Sequence, residues 1–429
     1  MHKYRILLHL QPMCTTIIPL LFLSVICSCS FLSELFILFI GIQEAFMSKL
    51  KNSYFSYFLM YSFYYLAWAV FSCLTSVYLL DKGYKPSQVS IVVSASLIAS
   101  MIGQPIIGMI TARNDLRKIN MSLFILVGIG GLAFMFCNSL ITITIGYSFV
   151  MMLINGTTPI MERIATSSPY KYGKIRVWGT LGYALGSQMA GILYQYISPR
   201  SIFICFGMTI TLAAIGTYYT APAKVEKNET PKSSDPGLLR NTKYIYYLII
   251  YSLFFGIINV GGTYTPAMFQ NDGLPMSTVS TILSLAVLCE MPLVFFSYKF
   301  MDRLSNKTLM IISFSLMTAM YAIYWLDMPI MIKVIATLLV KHPAGMLLVM
   351  INQKVLITLI GQDHLMTAMA FAATAKNLGS ILCQNVLGPI LDNQPFSSMY
   401  FICMILMAAG LVMVLLFKVP KGTDQKLFS

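Results

Sequence analysis

Apolar runs of about twenty residues recur along almost the whole of this chain, separated by short polar turns. A helix of that length matches the hydrocarbon core of a bilayer, roughly 30 Å at about 1.5 Å per residue. Lipid offers no partner for a backbone N–H or C=O, so a segment crossing it closes its own hydrogen bonds as a helix or joins a closed barrel. Barrels are written as short alternating segments, and this sequence contains none. The sequence therefore predicts an all-α integral membrane protein. Its composition agrees: 57% hydrophobic and 10% charged over 429 residues lies far from that of a soluble domain.

Twelve spans are expected, at roughly 54–80, 87–111, 119–137, 139–165, 174–197, 200–221, 243–270, 276–301, 307–326, 329–358, 364–391 and 396–418. The polar stretch at 222–242 separates the first six from the last six and reads as a flexible linker. The expected organisation is an N-terminal six-helix bundle at 47–221, the linker, a C-terminal six-helix bundle at 243–420 and a tail at 421–429. Residues 1–46 form an N-terminal extension. Lys3 and Arg5 precede an apolar run from about Thr15 to Ile42, interrupted by Glu34, which fits a signal peptide, an extra span or an upstream start. Met47 opens M-S-K-L-K-N-S-Y-F, a basic tail entering a span, and is taken as the start.

The loop charges orient these spans. One side carries Lys49, Lys51, Arg113, Arg117, Lys118, Lys171, Lys174, Arg303, Lys307, Lys418, Lys421 and Lys426; the other has Lys82, Lys85, Arg200 and Lys333. Basic loops stay cytoplasmic, which places both termini and the linker in the cytoplasm of a cell membrane. The formal charge of +14 sits in these loops, where it meets anionic headgroups; no basic run interleaved with aromatics lies outside the apolar segments, so nucleic acid is not implied. All nine cysteines fall in apolar stretches and read as small fillers, without a metal-site spacing. No G-x-x-x-x-G-K-[ST] loop is present, so ATP is not the direct energy source. No nucleophile–base or metal spacing argues for an enzyme, and no cofactor is implied.

Polar groups inside the spans are the candidates for function. The stretch from Pro159 to Gly186 reads P-I-M-E-R-I-A-T-S-S-P-Y-K-Y-G-K-I-R-V-W-G-T-L-G-Y-A-L-G. Glu162 ends one apolar segment and Arg176 opens the next. Gly179, Gly182 and Gly186 fall at helical spacings that let another backbone approach. Tyr183 lies two turns beyond Arg176, on nearly the same face. A substrate site and a structural salt bridge at the membrane edge fit this pattern equally. Glu290, Lys341 and Lys376 lie near the centres of their spans, where an unpaired charge costs about 3 kcal/mol, so each faces a cavity or a partner. Glu290 can also belong to a structural network with one of the lysines. His342, just before Pro343, fits a packed kink residue or a titrating group. The aromatic stripe Tyr54, Phe58, Tyr61, Tyr65 and Trp68 fits packing or a cavity wall; Asn259, Asn352, Gln353 and Asn377 are further hydrogen-bonding candidates.

Two six-span blocks joined by a linker is the layout of a major facilitator transporter. Two loops resemble that superfamily's glycine–acid–basic motif: G-M-I-T-A-R-N-D-L-R-K after the second span, and K-F-M-D-R-L-S-N-K in the second block, which keeps Asp302 and Arg303. The segment Y-G-K-I-R-V-W-G-T-L-G-Y-A-L-G resembles the lactose permease group of oligosaccharide–proton symporters and the broader permease group that includes phenylpropionate transporters. F-Y-Y-L-A-W in the first span and Gln104-Pro105 in the second agree. The resemblance implies that Glu162 and Arg176 bind substrate hydroxyls and that Tyr183 stacks on the substrate, tyrosine standing where the lactose permease has tryptophan. It also implies that Glu290 links substrate to proton and that Lys376 matches a helix-eleven lysine. Lys341 stands in the place of the family's helix-ten histidine and Ala344 in that of its glutamate; the helix-nine arginine has no counterpart.

The expected function is secondary-active transport: a monomeric proton-coupled symporter importing a small polar organic solute, such as a sugar, by alternating access in the lipid bilayer. Substrate binding falls to Glu162, Arg176 and Tyr183, and proton coupling to Glu290, Lys341 and Lys376. A nucleoside or aromatic acid as solute, a proton-driven exporter and a transport-dead sensor are the alternatives. Helix five lacks the glycine–proline motif usual in exporters.

Overall fold

The computed structural model describes residues 51–111, 115–221, 240–361 and 364–418. The extension at 1–46, most of the linker, the tail at 421–429, Arg113 and Cys14, Cys27 and Cys29 lie outside the described residues. From Tyr54 onward the described residues form helices and turns, with no strand among them. In chain order the α-helices are α1 (Tyr54–Ser72), α2 (Thr75–Asp81), α3 (Pro86–Thr111), α4 (Leu116–Phe134), α5 (Leu140–Thr166), α6 (Tyr172–Tyr196), α7 (Ser201–Tyr219) and α8 (Thr242–Asn271). They continue as α9 (Met276–Leu288), α10 (Glu290–Phe295), α11 (Ser297–Phe300), α12 (Asn306–Trp325), α13 (Ile330–Ala336), α14 (His342–Ile360), α15 (Leu365–Leu387) and α16 (Phe396–Leu416).

Several consecutive helices are pieces of one rod, and prolines mark two of the breaks. Pro292 has no N–H to offer the carbonyl of Leu288, where α9 ends before α10 resumes at Glu290. Pro343 likewise cannot bond the carbonyl of Leu339, and Thr337–Lys341 widens into a π-turn between α13 and α14. Some of the rod starts are capped by side chains. Ser139 and Thr142 form a reciprocal capping box before α5, and Asn241 accepts from the N–H groups of Lys243 and Tyr244 before α8.

Ten of the rods are long and apolar enough to cross a membrane. The two further long helices, α6 and α15, carry Arg176 and Lys376 and pack among the others. Large apolar side chains such as Ile102, Ile129, Met208, Leu382 and Leu416 stand exposed on the outside, a surface suited to hydrocarbon.

Among the first six rods, α1 packs along α6 and α7, α3 along α5, and α4 along α5 and α7. Glycine sets the closest of these approaches. A Cβ on Gly182 would strike the carbonyl oxygen of Ser62, and one on Gly186 that of Leu66, so α1 and α6 meet backbone to backbone. Among the last six, α8 packs along α15 and α16, and α12 along α14 and α16.

The two sets repeat a local motif that the sequence reading did not find. Two residues past the end of α2 comes Gly83 (φ +87°), and two past the end of α8 comes Gly273 (φ +88°). Each glycine N–H bonds a carbonyl three residues back, and the next residue reaches back five, Tyr84 to Leu79 and Leu274 to Phe269. This is the same helix-stopping turn twice, each time at the left-handed glycine and each leading into a helix at Pro86 or after Pro275.

Candidate functional site

The ends of the rods define two levels, here called the Gly83 end and the Tyr172 end. At the Gly83 end the first six rods are sewn to the last six. Ser76 Oγ donates to Thr263 O (2.5 Å), Asn385 Nδ2 to Ser94 Oγ (2.8 Å), and Ser87 N to Asp392 Oδ1 (2.9 Å). Ser90 Oγ and Tyr264 Oη lie 2.7 Å apart, and Tyr264 Oη reaches Pro86 O at 2.7 Å. On the other side of the seam, Ser277 N donates to Gln195 Oε1 (2.7 Å) and Ser280 Oγ to Gln188 O (3.5 Å), where α6 and α9 cross. A Cβ on Gly191 would collide with Ser280 and with Met276 O, and one on Gly388 with Ser90. Small residues thus let both crossings close completely.

Beneath this seam lies a cavity of about 590 Å³, within the usual range for ligand pockets. Its wall is shared by both sets of rods. Trp68, Ser72, Ser96, Gln104, Asn155 and Tyr183 come from the first set; Asn259, Thr263, Glu290, Lys341, His342, Lys376 and Asn377 come from the second. The polar groups are held in place: Asn155 Nδ2 donates to Ser100 Oγ (3.0 Å), and Gln384 Nε2 fixes Asn259 Oδ1 (2.9 Å) and Thr263 Oγ1 (2.7 Å).

Four of the six residues given substrate-binding or proton-coupling roles from sequence, Tyr183, Glu290, Lys341 and Lys376, line this cavity together. Glu290 Oε2 lies 3.8 Å from His342 Nδ1, across from the break in its own rod to the restart of α14. Among the described residues no acid comes within 4.0 Å of the ammonium of Lys341 or of Lys376. Lys376 Nζ sits 5.7 Å from the centre of the Phe255 ring.

Glu162 and Arg176 lie elsewhere, nearer the Tyr172 end, and outside the cavity wall. Along α6, Arg176 is about 10 Å from Tyr183 and about 22 Å from Gly191 at the helical rise. The two do not form an ion pair. Glu162 instead accepts 2.5 Å hydrogen bonds from Tyr61 Oη and Tyr172 Oη, one on each carboxylate oxygen. Arg176 lies over the Tyr65 ring at 5.2 Å, and its guanidinium has no hydrogen-bond partner among the described residues. The aromatic stripe of α1 therefore serves this cluster: Tyr61 and Tyr65 touch it, while Trp68 reaches the cavity.

Asn352 is buried and takes a hydrogen bond from Tyr247 Oη (2.9 Å), so it packs rather than lines the cavity. Two polar features escaped the sequence reading. Gln384 is fully buried and follows Lys376 and Ser380 at four-residue steps, a spacing that marks one helix face. Lys354 Nζ pairs with Asp302 Oδ1 at 3.0 Å and bonds Met301 O at 2.7 Å, both side chains almost wholly buried. Its place within an expected span carried the same signal as Lys341.

A bundle of apolar rods around a polar cavity shared by both sets is the architecture of a multi-pass membrane transporter. Residues 54–347 match the family described as "MFS_1 like family", and the chain belongs to it, a transporter of the major facilitator type. It is 22% identical over 367 residues to "Maltose permease" of Geobacillus stearothermophilus, covering 82% of this chain and 92% of that protein. It is 23% identical over 325 residues to "Probable 3-phenylpropionic acid transporter" of Escherichia coli (strain K12), covering 69% and 80%. The crystal structure of nucleoside transporter NupG superposes with a TM-score of 0.71 at 14% identity, over 85% of this chain and 97% of that one. The POT family transporter PepTSo superposes at 0.66 and 11%, over 84% and 96%. These structural likenesses show the fold.

Proposed function

We propose that this chain is a proton-coupled symporter that imports a small polar organic solute by alternating access. Two six-helix bundles, 47–221 and 243–420, rock about the cavity; α6 and α15 complete twelve crossings, and the 222–242 linker lies with both termini in the cytoplasm of the cell membrane. The protein works as a monomer. The observation that carries the reading is the polar cavity walled by both sets of rods, with the hydrogen-bonded seam across them at the Gly83 end. The repeated glycine turn after α2 and α8 supports two equivalent bundles. The likeness to a maltose permease supports a sugar as the solute; the likeness to a phenylpropionic acid transporter supports an aromatic acid.

In this reading the Gly83 end faces outward and is closed. Glu162 and Arg176, with their tyrosines, bind the solute near the inner mouth, and Tyr183 stacks on it in the cavity. Glu290 exchanges the proton, with His342 closest to it and Lys341 and Lys376 as the positive charges that balance its ionisation. A membrane potential supplies about 2.3 kcal/mol per charge per 100 mV to such a carrier. Glu290→Gln tests it in vesicles. The variant, unable to release a proton, is expected to exchange solute across the membrane yet lose uphill accumulation under an imposed proton gradient. Undiminished accumulation by Glu290→Gln would refute the assignment.

A further inference from the structure

We infer that the transported solute is an organic carboxylate with an apolar or aromatic body, and that Lys341 and Lys376 receive its carboxylate. The inference rests on the reading of the central cavity as the transport site. The fold's other buried lysines are paired. Lys333 lies between Asp272 and Asp327, and Lys354 against Asp302. Both are nearly inaccessible, and both have an acid to meet their charge. Lys341 and Lys376 break the pattern. Each lines the cavity, and neither ammonium has an acid or a hydrogen-bond partner among the described residues.

The charge census of the wall sharpens the contrast. It holds two lysines, one histidine and one acid, Glu290, whose near neighbour is His342 at 3.8 Å rather than a lysine. An unpaired ammonium at membrane depth is tolerated where water reaches it. Alternating access requires the cavity to close around its cargo and shed that water. A neutral solute would then leave both ammonium groups in a dry cavity with no acid beside either. A solute carboxylate supplies an anion to meet them, whether Glu290 holds its proton or has released it. The remaining wall suits an apolar body, with the rings of Trp68, Tyr147 and Tyr183 and the side chains of Leu97, Met151 and Val287.

The test uses the purified full chain in detergent, with binding read by thermal shift and by tryptophan fluorescence, for which Trp68 is the reporter in a Trp178→Phe/Trp325→Phe background. The probes are phenylacetate and 4-methylpentanoate, their amides, and glucose and maltose. Both carboxylates are expected to bind, the amides at least about tenfold more weakly. Lys341→Gln and Lys376→Gln are expected to abolish that preference, while Lys341→Arg and Lys376→Arg retain it; the unliganded melting temperature of each variant reports its folding. A flat response to both carboxylates, equal binding of acid and amide, or a preference that survives both glutamine variants overturns the inference. Proton coupling is measured separately in vesicles, so a symporter that prefers neutral solutes refutes the substrate class and leaves the symport reading standing.

Discussion

Replacing Gly191 with alanine should open the seam at the Gly83 end. The added Cβ falls on Ser280 and on the carbonyl oxygen of Met276, so α6 and α9 can no longer reach the distance at which the cavity is sealed. Overpacking of this kind costs about 1–3 kcal/mol, and the cost falls on the sealed state alone because the two helices part when the seam opens. The population should therefore shift toward the state open at the Gly83 end by about 5- to 160-fold. Cys73 lines the cavity and serves as a native reporter once the other cysteines are replaced. Its labelling by a small membrane-impermeant thiol reagent, applied from the Gly83 side, should rise by a factor in that range. Gly182→Ala is the control. Its Cβ meets the Ser62 carbonyl of α1, inside one bundle, so both access states suffer alike. That variant should melt at a lower temperature with Cys73 access unchanged. Equal labelling of Gly191→Ala and the parent, or a matching rise in Gly182→Ala, would refute the seam as the gate.

The Asp302–Lys354 pair is buried to 4% and 1% exposure, so solvent screens it little. Asp302→Asn strands the ammonium and should cost about 3–5 kcal/mol, with Asp302→Asn/Lys354→Met recovering most of the loss in a thermal-shift assay; a double variant as unstable as the single would contradict this. Arg176→Lys keeps the charge but gives up the planar fork and its stacking on Tyr65. Solute affinity is expected to fall at least about tenfold at an unchanged melting temperature, whereas lost stability with intact affinity would mark a structural clamp. Single cysteines at Ser234 and Asn393 should label from opposite faces of the membrane; labelling from the same face would rule out the twelve-crossing topology.

Hydropathy is a property of each segment by itself, which is why the rods and their order were legible in the sequence. A run of twenty apolar residues has one low-energy form in lipid, whatever its neighbours do. The same local logic located the ionisable residues worth attention, since each costs too much to sit idle at membrane depth. Which of these groups meet is a different question, set by the rotation of one helix against another and by breaks in the rods. Glu162 and Arg176 stand close in sequence and look like a pair, yet tyrosines from α1 and α6 claim the carboxylate, and the guanidinium lies over a ring. Glu290 and His342 lie 52 positions apart and come within 3.8 Å because α10 restarts at Glu290 and a π-turn delivers His342 at the head of α14. The sequence alone determined an all-α chain of membrane-crossing stretches and a short set of charges that must face a partner or water. Tertiary packing decided the partners, because one extra residue in a helical turn rotates every side chain beyond it, and that rotation leaves no trace in composition or spacing.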